Sequence, residues 1–592
     1  MGSRRLFALL SGCCLLLHSG AASADRLYAG GVVATAYPAA SQAALEMLEH
    51  GGNAVDAAVA AAFAAGVVGP YHNGIGGGGF ALVYLADSKT TLALDFREVA
   101  PAGASRDMYV REGKVVPGLS TDGALSVAVP SAAQGYLALL ARAGSLKPEV
   151  VLAPAIRLAK QGFLVTPKYQ ALARPRVACL SLDAEAASTF LRPGADGTPD
   201  VPALGTLIRQ PELARTLERL AREGISAVTL GPVARAIEDT VHAKGGVLTA
   251  LDLAHYRVRW REPLRGSYRG HALAVFPPPT AGGVTILQVL GMLEQLRPEG
   301  LDRRSVQDIH LYVEALRRAY VDRARWLGDP GFSDIPLERL LSASYLGEMA
   351  RSIDVHKATS SAALLPQAMP PAEASPSQPL GLERKNTTHL SVLDARGNAV
   401  ALTTTLNGAF GSCVVAHGTG VLLNNQMDDF AAQPMRPNSY GVVTGEANAI
   451  AAGKTPLSSM SPTLVFQKAH PERVLLAVGS PGGATIPSTV LEVLINVLDA
   501  KMDLVRAVGG GRIHEQWLPD TVVVDKESID PATQSALEAM GHTFRVVEAL
   551  GDAEAVMENE ETGLRTASSD PRNEGAALGQ DAPRPGPGPK AR

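Results

Sequence analysis

Asn386-Thr387-Thr388-His389-Leu390-Ser391-Val392-Leu393 marks the point where the texture of the chain changes. Before it, residues 356–386 are dominated by Ala, Ser, Pro and Gln. Pro366, Pro370, Pro371, Pro376 and Pro379 deny helix and strand a continuous run, so the segment reads as a flexible tether. After it, residues 389–393, a turn at Arg396-Gly397-Asn398 and residues 399–405 read as a β-hairpin. A threonine therefore stands where a mobile segment meets the start of a strand. A Thr hydroxyl is a weak nucleophile unless a base adjoins it, and one solution is to expose the residue's own amine as a chain terminus. Scission between Asn386 and Thr387 would do so. On these residues alone, Asn386-Thr387-Thr388 reads equally as a glycosylation sequon or a polar start to a strand.

The rest of the chain narrows the classes. It has 592 residues, with 54 Lys+Arg against 58 Asp+Glu and a formal charge of -4. That length can bury large cores without disulfide staples, and the balanced charge offers no cationic field for nucleic acid. Arg4 and Arg5, the apolar residues 6–17 and Ala22-Ser23-Ala24 form a secretory signal peptide over residues 1–24, so a periplasmic or secreted location is expected. Ser3-Arg4-Arg5-Leu6-Phe7 also fits a twin-arginine signal, and no later run is long and uncharged enough to span a membrane. Cys179 and Cys413 are the cysteines left after processing. Their spacing does not decide whether they pair, and separate thiols are the expected arrangement.

Ala-rich helices alternate with short strands after Asp25. Ser41 is expected to cap a helix through about residue 50, and residues 54–66 form a second helix so apolar that it must be buried. Gly74-Ile75-Gly76-Gly77-Gly78-Gly79 lacks the Lys-Ser or Lys-Thr of a phosphate loop and reads as a tight turn against a sheet, with strands at 80–86 and 91–96. Helical patterns recur from 130 to 350, including 212–223 and 305–327, and a second hairpin is expected at 463–466 and 474–478. The tail beyond about residue 575 is Gly/Pro/Ala-rich and is expected to be disordered. No Ser occupies a G-x-S-x-G motif, and His514-Glu515-Gln516-Trp517-Leu518 lacks a second zinc-binding histidine.

Several polar motifs occur in a fixed order: Thr403-Thr404-Thr405-Leu406-Asn407, Asn424-Asn425-Gln426-Met427-Asp428-Asp429-Phe430, Pro456-Leu457-Ser458-Ser459-Met460-Ser461-Pro462 and Gly479-Ser480-Pro481-Gly482-Gly483. With Thr387-Thr388-His389, Asp95-Phe96-Arg97-Glu98, Gly51-Gly52-Asn53-Ala54-Val55-Asp56-Ala57-Ala58 and Arg512-Ile513-His514-Glu515-Gln516-Trp517-Leu518-Pro519, the chain resembles the bacterial gamma-glutamyltransferases, or glutathione hydrolases. The resemblance implies an α+β fold, the four-layer αββα sandwich of N-terminal-nucleophile hydrolases. It also implies a precursor that cuts itself into a large subunit, 25–386, and a small subunit, 387–592. Thr387 would be the nucleophile, with Asn386 contributing the scissile carbonyl.

Carried onto this sequence, the resemblance gives Arg97 the substrate's α-carboxylate, helped by the Ser458 and Ser459 hydroxyls, and gives Asn407, Gln426 and Asp429 its α-ammonium. Opposite charges at fixed distances from a nucleophile are what such a zwitterion needs. Gly482 and Gly483 suit an oxyanion hole because a helix is expected to start just after them, at residue 486. Thr405 would orient Thr387, and Tyr440 would belong to a lid loop over the site. Thr388 and His389 are expected to be structural or to aid cleavage, and Cys413 stands where a small residue is expected near the site. No metal or organic cofactor is implied. The expected partners are glutathione and other gamma-glutamyl amides, with water, amino acids or peptides as acceptors, and the two subunits in a heterodimer. Two rivals follow: a glutaryl-amide (cephalosporin) acylase of the same fold, and an uncleaved exported binding protein. Asp429 argues against the first, since a glutaryl group would leave its carboxylate facing no cation.

Overall fold

The computed structural model describes residues 26–364, 386–438, 441–526 and 528–581. The expected signal peptide, residues 365–385 of the expected tether, Tyr440 of the expected lid and residues 582–592 lie outside these.

Two antiparallel sheets carry the architecture. Their strands, in chain order, are β1 (Val32–Thr35), β2 (Gly78–Leu85), β3 (Thr90–Phe96), β4 (Arg259–Arg261), β5 (Leu264–Tyr268), β6 (His271–Val275) and β7 (Thr388–Leu393), followed by β8 (Ala399–Thr405), β9 (Thr463–Phe466), β10 (Val474–Gly479), β11 (Glu554–Glu558), β12 (Arg565–Ser569) and β13 (Ala576–Gly579). The first sheet runs β4-β3-β2-β8-β7-β1-β13 and the second β5-β6-β9-β10-β11-β12. Helices α1 (Pro38–Glu49), α2 (Ala54–Val68) and α3 (Ala132–Ala143) cover the first sheet, and α4 (Gly282–Leu296), α5 (Val306–Trp326) and α6 (Ile486–Leu498) cover the second.

The period of two in each strand makes this a four-layer sandwich. Ala81 and Val83 of β2, with Val400 and Leu402 of β8, pack toward α1 and α2, whereas Phe80, Leu82, Ala399 and Ala401 face the second sheet. Leu273 and Val275 of β6 point outward to α4 and α5, and Ala274 between them points inward. The αββα layering implied by the resemblance is thus the observed one. Among the described residues no helix is long and apolar enough to cross a membrane.

Local signals set most boundaries. Asn53 and Asp56 form a capping box at the start of α2, and every residue of that helix is buried, as its all-apolar sequence requires. The glycine run is a close-approach device. A Cβ on Gly77 would lie 2.0 Å from the Thr405 carbonyl oxygen, and one on Gly79 would lie 2.2 Å from that of Thr403, so only glycine lets this segment lie against β8.

Three expectations are corrected. Ser41 does not cap α1: Tyr37 holds the cap position with Pro38 in the first turn. Ser41 instead donates to the Ala576 carbonyl at 2.7 Å and hydrogen-bonds Thr35 Oγ at 2.9 Å. The tail beyond 575 is not disordered throughout, because residues 576–579 form edge strand β13, paired in register with β1. The ends of the expected tether are ordered: Ser361 is held by Trp517, whose Nε1 donates to its carbonyl at 2.9 Å, and Asn386 is buried.

Candidate active site

The hairpin β7–β8 places the first residues of the site. Its register pairs Thr388 with Thr404, so Thr387, one step before β7, comes opposite Thr405. Thr387 Oγ donates to Thr405 Oγ at 3.0 Å, and Thr405 Oγ also accepts from the Asn407 amide at 2.8 Å. Thr387 has φ of +100°, a conformation that a β-branched residue adopts only under constraint, at a cost of ~1–3 kcal/mol. That constraint acts through the Asn386–Thr387 peptide and disappears if the bond is cut. Asn386 is 3% exposed, and its side-chain oxygen makes no hydrogen bond among the described residues. Thr388 is buried, and His389 bonds Thr403 Oγ at 2.8 Å, with burial pushing its pKa down to about 3, so its ring is neutral.

Thr387 opens onto a pocket. Arg97, Thr405, Asn407, Gln426, Asp429, Ser458, Ser459 and Gly483 all line it, brought together from five separate stretches of chain. Gly482 adjoins the lining. Its φ of +133° and the +57° of Gly483 bend the chain into a short 3-10 turn that runs straight into α6, so the turn stands at a helix N-terminus, where the first backbone N–H groups have no intrahelical partner. A Cβ on Gly482 would meet Thr485 Oγ at 2.5 Å. Tyr440 lies outside the described residues, and its near neighbours Asn438 and Val442 line the pocket.

Charge in the pocket is arranged in layers. Arg97 follows β3, its amide donating to Asp95 at 3.0 Å and its carbonyl accepting from the Tyr256 hydroxyl at 2.8 Å. Its Nη2 pairs with Asp429 at 2.5 Å, and Gln426 donates to the same carboxylate oxygen at 2.6 Å. The argument that Asp429 needs a substrate ammonium as its cation is therefore corrected: Arg97 already supplies one. Behind Arg97 lies Glu98, fully buried, with its Oε2 3.8 Å from Arg97 Nη1. Burial pushes its pKa up to about 8 against the pull of Arg97, so it is protonated at neutral pH.

Two of these groups were missed from sequence. Glu98 sits inside a quoted motif but was given no role. Arg323, from the last turn of α5, lines the pocket at 4% exposure and donates to Ser459 Oγ at 3.2 Å. Its Nε and Nη1 make no hydrogen bond among the described residues. With Glu98 neutral, two guanidiniums face one carboxylate, which leaves the pocket one positive charge in excess and suited to a ligand carboxylate.

Cys413 is not in the pocket lining. It is buried in the hydrophobic cluster that also holds Tyr169, Phe190 and Phe410 and is joined to Cys179 by a disulfide, which corrects the expectation of separate thiols. Among the described residues one cluster, His310, Glu314 and His542, has the composition of a metal site. Its ligand atoms are already engaged: the two imidazoles bond each other at 2.7 Å, and Glu314 pairs with Arg318 at 2.6 Å.

Comparisons with known proteins agree with this geometry. The gamma-glutamyltranspeptidase family model matches residues 40–580. A glutathione hydrolase proenzyme of Pseudomonas aeruginosa is 39% identical over 580 residues, covering 97% of this chain and 99% of that protein. Another, from Pseudomonas sp. strain A14, is 38% identical over 544 residues, covering 92% and 91%. The crystal structure of cephalosporin acylase from Bacillus halodurans superimposes with a TM-score of 0.80 at 27% identity, covering 98% of this chain and 99% of that one. With the αββα sandwich and the motif order, these matches make the chain a member of the gamma-glutamyltranspeptidase family, a precursor with the N-terminal-nucleophile hydrolase fold.

Proposed function

We propose that this protein is a self-processing gamma-glutamyltransferase and glutathione hydrolase whose nucleophile is Thr387. The observation that carries the reading is the Thr387 hydroxyl, held by Thr405 in a pocket with guanidinium groups and a glycine turn at a helix start. In processing, Thr387 Oγ attacks the Asn386 carbonyl carbon, the acyl group passes from nitrogen to oxygen, and water hydrolyses the ester. The freed amine of Thr387 is then the base that takes the hydroxyl proton in each turnover. Attack on a gamma-glutamyl amide gives a tetrahedral oxyanion, which the Gly482 and Gly483 N–H groups stabilise, and then a gamma-glutamyl–Thr387 ester and a released amine. Water or the amine of an amino acid or peptide takes the acyl group. Arg97, Arg323, Ser458 and Ser459 receive the α-carboxylate, and Asn407, Gln426 and Asp429 the α-ammonium. Large and small subunits remain together as a heterodimer, and the N-terminal segment supports export to the periplasm or beyond.

The likeness to a cephalosporin acylase, and the internal partner of Asp429, keep glutaryl amides as the second reading. The glutathione hydrolases at 38–39% identity over nearly the whole chain favour the first.

Thr387→Ala leaves one uncleaved, inactive chain, whereas the wild type gives fragments of about 38 and about 21 kDa by share of its 61.7 kDa, the smaller beginning at Thr387 on N-terminal sequencing. Normal cleavage of the variant would remove Thr387 from the mechanism. Three p-nitroanilides separate the substrate groups: γ-glutamyl carries both charges, glutaryl lacks the ammonium, and 4-aminobutanoyl lacks the carboxylate. The wild type turns over γ-glutamyl best. Arg323→Gln raises KM by ~10-fold or more for the two carboxylate-bearing substrates and leaves 4-aminobutanoyl unchanged, since a charged hydrogen bond contributes ~1.5–3 kcal/mol. Equal losses on all three would make Arg323 merely structural. For Glu98, whose raised pKa reflects burial among Arg97, Asp429 and Asp95, ionisation near pH 8 adds a negative charge beside Arg97. KM for γ-glutamyl substrate therefore rises from pH 7 to 9 more steeply in the wild type than in Glu98→Gln, and identical profiles would contradict this assignment.

A further inference from the structure

The disulfide between Cys179 and Cys413 spans 234 residues, and the Asn386–Thr387 bond lies inside that span. Cys179 sits in the short helix Val177–Leu180, on the large-subunit side, and Cys413 in a loop of the small-subunit side. Their Cα atoms are 5.8 Å apart, a separation that a disulfide bridges without moving the backbone. The contact is not an isolated pair. Arg176 reaches across from the same side as Cys179, donating from Nη2 to the Gly411 carbonyl at 3.0 Å, while its Nη1 pairs with Asp122 at 2.7 Å. The Gly123 amide donates to the Ser412 carbonyl at 2.9 Å, and the Phe410 ring lies among Tyr71, Tyr169 and Phe190. The loop that carries Cys413 is therefore seated in the large-subunit half. It also leads directly from Asn407 to Gln426 and Asp429.

We infer that Cys179–Cys413 becomes a covalent bond between the two subunits once the chain is cut, and that it keeps the composite pocket assembled at any dilution. This rests on the processing proposed above. Arg97 and Arg323 come from one subunit and Thr387, Asn407 and Asp429 from the other, so a separated pair has no complete site. A cross-link turns reassociation into an intramolecular event whose extent does not depend on protein concentration. Forming the bond removes two protons and two electrons from two thiols. The oxidant class is a low-molecular-weight or protein disulfide: the half-buried Cys179 forms a mixed disulfide with it, and the Cys413 thiolate then displaces the second thiol.

The test uses the purified, processed enzyme on denaturing gels with and without reductant. The expected result is one band near full mature mass without reductant and two bands with it, together with a disulfide-linked peptide pair containing Cys179 and Cys413 in a non-reducing digest. Two bands under both conditions, with two titratable thiols, would overturn the link and leave processing intact. One band under both conditions would overturn the processing, and the link with it. A second measurement covers function: after denaturation and dilution, recovery of activity is independent of protein concentration over a 100-fold range for the wild type. In Cys179→Ser it falls at least tenfold at the lowest concentration. Equal recovery in both proteins would overturn the proposed role in assembly.

Discussion

The register of one hairpin governs the rest of the site. Because β7 pairs with β8 as Thr388 opposite Thr404, Thr387 meets Thr405, and the oxygen of Thr405 is fixed in turn by the Asn407 amide. Since side chains alternate between faces, a slip of one residue would send Thr405 to the opposite face of the sheet. Nothing in the hairpin itself forbids such a slip as strongly as its other neighbour does. β8 is also paired with β2 up to Thr405 opposite Gly78, where the glycine run allows a backbone approach that no side chain would permit. The glycine run, read from sequence as a tight turn against a sheet, thus serves the proposed nucleophile by locking the strand that positions it.

Electrostatics then sets what the pocket accepts. A lone buried guanidinium would be costly, and Arg97 is stabilised by Asp429 in front and by its backbone ties to Asp95 and Tyr256. Glu98, held protonated by burial, lies close behind without cancelling the charge. Arg323 supplies the surplus cation. The ion pair of Arg97 with Asp429 has a consequence for selectivity: an incoming zwitterion exchanges partners with a pair already formed. In the proposed mechanism, discrimination between γ-glutamyl and glutaryl groups therefore falls to the neutral donors and acceptors Asn407 and Gln426 as well as to Asp429.

How much of this was legible in the sequence depended on whether the signal was local. The helices 54–68 and 486–498, the hairpins and the glycine turn announce themselves through periodicity and turn chemistry, and the structure places them within a few residues of expectation. The pocket side chains were legible only through the order of the motifs that carry the family resemblance, since each of them alone reads as a surface charge, a loop or a helix cap. Arg323 was not, because it lies in a long helix with Arg317, Arg318 and Arg325 nearby, where a charged residue at helical spacing looks like any solvated face. The edge strand at 576–579 is Gly- and Ala-rich, and only its partner β1, more than 500 residues earlier, gives it a structure. The disulfide was hidden for the same reason, since spacing in sequence carries no information about a pairing across 234 residues.

The central claim is that the hydroxyl of Thr387 becomes acylated. The most direct measurement treats the mature enzyme with a glutamate analogue that carries a diazoketone in place of the scissile amide, and locates the adduct by mass spectrometry of the reduced fragments. The account predicts one adduct per enzyme, on the first residue of the fragment beginning at Thr387, in step with loss of activity. A fully inactivated enzyme with its adduct on any other residue would contradict it.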